Sequence, residues 1–164
     1  MNNMKDFKIE LKWALIYSGV TLIWLMIERY FGLHDEHLDK QLRFMVILGV
    51  LYLCIYYLGL RDKKVNFYHG LISFKEGLKF ALVMSLIVAV LSFFVQFIFV
   101  KIISPDYLSN MANYMVKVGR FTKQGAEEFY SVGNQLKNSA YTNLVIGVFF
   151  GAISAALHKN KANV

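Results

Sequence analysis

The sequence predicts an all-α polytopic membrane protein: four transmembrane helices, with an extracytoplasmic amphipathic helical hairpin between the third and the fourth. Two observations carry that expectation. The first is composition. Of 164 residues, 57% are apolar, 16% aromatic and only 18% charged, with a mean hydropathy of +0.43 and a single proline. A soluble domain of this length cannot bury that much apolar surface. The second is a set of four charge-free runs, at 13–27, 44–60, 80–100 and 138–157. Each approaches the roughly 20 residues a helix needs to cross about 30 Å of hydrocarbon. Low charge with little proline excludes a disordered chain, and the aromatic load excludes a coiled coil. The lone Cys54 permits no internal disulfide and no cysteine-built metal centre.

The first run is the shortest, but Lys and Arg stems snorkel, so its span is drawn over 12–31. A secretory signal peptide is the competing reading. Lys, Trp and Tyr crowd the run and no small-residue cleavage site precedes Glu28, so the segment is expected to be retained. The second span is drawn over 43–60. The third, 76–103, should begin at Ser73, because Ser73 and Glu76 have the spacing of a capping box. It should end at Ser104-Pro-Asp, with Ser104 capping a new helix that has Pro105 in its first position. Over 105–136 the apolar residues Leu108, Met111, Met115 and Val118 mark one helical face. Phe129, Val132 and Leu136 mark another, beyond a break between Gly119 and Gly125, which gives the amphipathic hairpin. The fourth span is drawn over 138–158. No repeat or linker divides the chain, so 1–164 reads as one domain.

Lys and Arg in short flanks are retained on the cytoplasmic side. Four spans place both termini and the 61–79 loop on one side, which holds ten basic and four acidic residues against eight and seven on the other. That side, with Lys5, Lys8, Lys12, Lys159 and Lys161 near the termini, is expected to be cytoplasmic. The net charge of +7 is then explained by topology, and nucleic acid is not expected as a partner. The basic loop residues Arg61, Lys63, Lys64, Lys75 and Lys79 are candidate contacts for anionic lipid or a protein partner.

Gly70-Leu-Ile-Ser-Phe-Lys-Glu-Gly-Leu-Lys79, the long third helix, Ile103-Ser-Pro-Asp-Tyr107, a Met-rich polar segment and a Gly-containing last helix together define a pattern. It resembles an uncharacterised four-helix membrane-protein family, a domain of unknown function common in Bacteroidota, over nearly the whole chain. The resemblance implies a bacterial inner membrane and no established catalytic residues. Through a family-two glycosyltransferase acting on polyprenyl phosphate, encoded beside members, it also implies an envelope role.

The side chains that might carry chemistry have bland alternatives. His34, Asp35, Glu36, His37 and Asp39 are of metal-ligand type but fit no ligand pattern, and read as an acidic, solvated turn. Glu28 and Arg29 read as interfacial anchors, and Trp13, Trp24, Tyr30, Tyr56, Tyr57, Tyr107 and Tyr141 as aromatic belts. Ala81, Ser85, Ala89, Ser92 and Gln96 form a stripe on the third helix. Gly147, Gly151 and Ala155 form another on the fourth, and both read as helix-packing surfaces. Met111, Met115 and Phe129 are candidate partner contacts on the outer side. No phosphate loop and no catalytic constellation is present, so no enzyme, cofactor or metal is expected. The expected function is a non-enzymatic accessory or anchoring subunit of an inner-membrane envelope-biogenesis assembly, bound to a membrane-associated protein. A small transporter or lipid-binding protein is the alternative. The absence of charge within the runs argues against ion-coupled transport.

Overall fold

The computed structural model describes residues 7–160; readings that fall on Lys5, Asp6 and Lys161 lie outside them. Every element among the described residues is helical. Helix α1 spans Lys8–Tyr30, a 3-10 turn at Leu38–Lys40 leads into α2 at Gln41–Asn66, and α3 at Phe74–Ile98 continues into a π-helical turn at Phe99–Ile103. Then come α4 (Tyr107–Lys117), α5 (Lys123–Phe129) and α6 (Val132–His158). Four segments, α1, α2, α3 and α6 with their extensions, are long and apolar enough to cross a membrane. Their exposed faces carry Ile23, Val46, Val50, Leu86, Val90, Phe94, Val145 and Phe149, while serine, tyrosine and glutamate lie inside. That inversion suits hydrocarbon as the solvent.

The helices close a ring in the order α1, α2, α6, α3, and the contact between α3 and α6 is the most extensive. Small residues make that seam. A Cβ added to Gly77 would lie 2.8 Å from the Ala155 Cβ, and one on Gly151 would overlap Ala81. One on Gly147 would lie 2.5 Å from the Ser85 hydroxyl. Thus Ala155, Gly151 and Gly147 meet Gly77, Ala81 and Ser85 in antiparallel register. Of the residues expected to pack from the third helix, Ser85 is in the seam and Ser92 is buried nearby. Ala89 and Gln96 are half-buried beyond it.

Local signals explain the helix ends. The capping box is complete, with the Glu76 N–H donating to Ser73 Oγ at 3.2 Å and the Ser73 N–H donating to Glu76 Oε2 at 2.8 Å. Thr122 and Ser131 cap α5 and α6 in the same way, each accepting one N–H from three residues on. At the C-terminus of α1 the Leu33 N–H reaches Glu28 O and the Gly32 N–H reaches Arg29 O, both at 3.0 Å, with Gly32 at φ +68°. This is a Schellman closure, and glycine supplies the left-handed residue it needs.

Several boundaries differ from the sequence expectation. Helix α2 runs six residues beyond Leu60, so Arg61 to Lys64 are helical and the connecting loop shrinks to 67–73. Helix α6 begins at Val132, so Val132 and Leu136 belong to the last spanning helix and not to a hairpin. The charge-free runs mark only the apolar stretch of each helix, and the helices continue through the charged and polar residues that flank it. Helix α4 begins at Tyr107, not at Pro105; Ser104 makes no side-chain cap, and its buried N–H instead closes the π turn on Phe99 O at 2.8 Å.

The two ends of the bundle are distinct. At the termini end, the Asn160 N–H donates to Ile72 O at 3.0 Å and the Ile72 N–H donates to Asn160 Oδ1 at 2.8 Å. Lys64 Nζ donates to His158 O at 2.8 Å, joining α2 to the end of α6. At the other end α4 and α5 pack on one another, with Tyr107 and Leu108 of α4 against Phe99 and Val100 of the π turn and Asn110 on the His34 carbonyl.

Candidate functional site

Polar groups run through the interior in three tiers. At the termini end Glu10 of α1 and Lys63 of α2 are both buried, with Lys63 Nζ 3.0 Å from Glu10 Oε1 and 3.8 Å from the centre of the Phe67 ring. Half a turn outward, Asp62 accepts from Lys12 Nζ at 2.7 Å and from Trp13 Nε1 at 2.8 Å. A cavity of about 90 Å³ lies beside the inner pair, lined by Phe7, Glu10, Lys63, Lys79 and Phe80 among others.

The middle tier is built by tyrosines one turn apart on facing helices. Tyr17 stacks on Tyr52 at 4.0 Å, and its hydroxyl donates to Asn143 Oδ1 at 2.6 Å. The Thr21 hydroxyl donates to Tyr17 O at 2.8 Å, so the Tyr52 hydroxyl, 2.9 Å away, donates to Thr21. Tyr56 and Ser85 share a hydrogen bond of 2.8 Å in the space that Gly147 leaves by lacking a side chain. Tyr56 therefore belongs to the core and not to an aromatic belt. Each such interhelical bond in a bilayer contributes about 0.6 kcal/mol on average, so the tier specifies register more than it adds stability.

The third tier is the densest. Glu28, expected at the interface, is 3% exposed. Its Oε1 accepts from Trp24 Nε1 at 2.7 Å, and its Oε2 lies 3.4 Å from His34 Nε2. The Schellman turn drops Leu33 and His34 into the bundle end, so His34 is buried rather than solvated. Its ring packs edge-on against Phe99 and Tyr107, with centroids 5.0 Å from each, and its Nδ1 has no hydrogen-bond partner. Asn110 of α4 holds the His34 carbonyl at 3.2 Å, and the Tyr107 hydroxyl donates to Gln41 Oε1 at 3.1 Å. Burial, opposed by the Gln41 hydrogen bond and helped by the Glu28 charge, pushes the Tyr107 hydroxyl up to about 12, so it stays a donor. Asp35 and Glu36 remain exposed, and among the described residues no three His, Cys, Asp or Glu side chains converge as a metal site.

The candidate contact residues separate. Arg61, Lys75 and Lys79 are exposed. Lys63 is buried on Glu10 and Lys64 is half-buried on a carbonyl, so these two are not a free basic patch, because α2 continues and turns Lys63 onto the face that bears Tyr56 and Leu60. Met111 is 6% exposed and faces inward beside Leu108, which removes it from the outer surface. Met115 is half-buried. Phe129 is exposed, against Phe121 at 5.3 Å and Tyr130 at 5.1 Å. Sequence reasoning missed the Glu10–Lys63 and Glu28–His34 pairs and the Tyr17–Asn143 bond. One available signal was Gly32 followed by an apolar residue just past a helix end, which announces a Schellman turn and hence a buried Leu33.

A family model described as "Protein of unknown function (DUF4199)" matches residues 12–160. Neither the curated proteins nor the solved structures give a match.

Proposed function

Since the chain belongs to the DUF4199 family and is a multi-pass membrane protein by its four spanning helices, we propose that it is a non-enzymatic subunit of the bacterial inner membrane that anchors a membrane-associated partner on its cytoplasmic face. The observation that carries this reading is the collar of exposed cations at the termini end: Lys8, Lys12, Arg61, Lys75, Lys79 and Lys159. Among the described residues no fully exposed carboxylate accompanies these cations, whereas the opposite end mixes its exposed cations with Asp35, Glu36, Asp39, Asp106, Glu127 and Glu128. The positive excess therefore lies at the termini end, which supports a cytoplasmic side and an attraction to anionic headgroups. An interior filled by paired side chains and a small-residue seam supports a rigid support rather than a moving carrier. The partner proposed is a glycosyltransferase acting on polyprenyl phosphate, within an envelope-biogenesis assembly. The docking residues are Arg61, Lys75 and Lys79, with Met115 and Phe129 available on the opposite side.

The test is co-purification in mild detergent. The unmodified chain should bring down a stoichiometric partner, and Lys75→Glu with Lys79→Glu should release it without shifting the melting temperature. Cysteines at Asn113 and Lys75, in a Cys54→Ser background, should label from outside and inside respectively. Labelling of Lys75→Cys from outside reverses the topology. A chain that purifies alone and moves a solute across liposomes is a small transporter, and the anchoring reading then fails.

A further inference from the structure

We propose that the crevice between the last turn of α1 and the π-helical turn after α3 binds an anionic glycerophospholipid, with its phosphate on Arg29 and an acyl chain along Met26, Ile102 and Ile103. The crevice has a volume of about 530 Å³ and is walled by those residues and Tyr30. This goes beyond anchoring a protein partner and does not depend on it.

The π turn makes the crevice. Its i to i+5 bond, from the Ser104 N–H to Phe99 O, widens the helix, and the carbonyl of Ile103 at the helix end lacks a helical donor. The Arg29 guanidinium supplies one, donating to Ile103 O and bridging the two walls. A guanidinium carries five N–H donors, so this bond leaves most of them for an anion. Glu28 does not neutralise Arg29, because successive positions on a helix point apart. Glu28 is turned inward onto Trp24 and His34, and among the described residues no carboxylate pairs with Arg29. The depth also fits a phosphate. Tyr30 is 85% exposed at the mouth, and Phe31 packs on Phe44 at 6.1 Å just beyond the α1 end, as aromatic residues do at headgroup level. An apolar wall below a fixed guanidinium complements a lipid that is anionic at its head and apolar below, and Arg is the side chain whose fork matches phosphate oxygens.

Native mass spectrometry of the purified full chain, mixed with equal amounts of phosphatidylglycerol and phosphatidylcholine, tests this. Phosphatidylglycerol adducts should exceed phosphatidylcholine adducts about five- to tenfold. Arg29→Gln keeps an amide donor for the Ile103 carbonyl but loses the charge, and should cut the phosphatidylglycerol preference several-fold, to what the termini-end cations alone support. Met26→Trp fills the crevice and should remove the retained adduct; if Arg29→Gln does not fold, this variant decides alone. Arg120→Gln, a cation at the same end but outside the crevice, should change nothing, and water-soluble glycerol phosphate should fail to displace the lipid. Parity in the unmodified chain, preference undiminished in both crevice variants, or its loss in Arg120→Gln would each overturn the proposal. Displacement by glycerol phosphate, or a second copy of the chain retained in place of lipid, would do so as well.

Discussion

Helix α1 carries a buried carboxylate near each of its ends, and the bundle answers the two differently. Glu10 faces the ammonium of Lys63, itself buried and resting on Phe67. Glu28 faces an indole N–H and an imidazole, groups that are polar without needing to be charged. An ammonium is a compact, strongly hydrated charge, so at the termini end each charged group depends on the opposite charge of the other in place of water. At the α4–α5 end the carboxylate is held by donors that tolerate its loss. The termini end is accordingly brittle and the opposite end adaptable.

The largest effect should come from breaking the brittle pair. Lys63→Met or Glu10→Leu alone leaves a buried charge without its counter-charge and should cost about 3–5 kcal/mol, while the double variant should recover most of that loss. Glu28→Gln, which keeps an acceptor for Trp24, should cost about 1–3 kcal/mol. Thermal unfolding in detergent, followed by tryptophan fluorescence, ranks the four. Single variants no less stable than the double, or Glu28→Gln as damaging as Lys63→Met, would erase the distinction between the ends.

Both ends are tied to the α3–α6 seam, so a second prediction separates seam from ends. Gly151→Leu drives a branched side chain into Ala81 and should destabilise by about 1–3 kcal/mol, whereas Val148→Leu, off the seam, should be tolerated. Equal melting temperatures would show that the seam does not bear on stability.

The smallest effect is the part of the pH dependence that Tyr107 contributes at the α4–α5 end. The Tyr107 hydroxyl is raised to about 12, above the unfolded value near 10. The folded state therefore holds a proton that the unfolded chain releases. The associated stability is whole below pH 10 and is lost as pH rises from about 10 to 12. Tyr107→Phe should flatten that part of the melting-temperature profile between pH 9 and 11 relative to the unmodified chain. Parallel profiles for the two proteins would remove the effect.

What was legible follows from range. The four runs and the Ser73–Glu76 box depend on neighbours in sequence, and composition or spacing suffices to find them. Lys63 was half legible: once α2 is continued past Leu60, positions 52, 56, 60 and 63 share a face, and that face is buried. Treating Arg61 to Lys64 as loop hid it. The third tier was not legible, because His34 is buried only when a Schellman turn reverses the chain and α4, more than 70 residues on, closes over it. Met111 failed for the same reason: an amphipathic face shows that something will cover it, not whether that something is this chain.

The seam also orders assembly in time. Ala81, Ser85 and Gly77 leave the translocation machinery long before α6, since α4 and α5 are made in between. Until α6 arrives, the notch on α3 and the hydroxyl of Ser85 face lipid or a transient companion. A ribosome halted before Val132 should thus yield a three-helix chain that is inserted but open along one side, a form that quality-control proteases recognise and that the last helix alone can close.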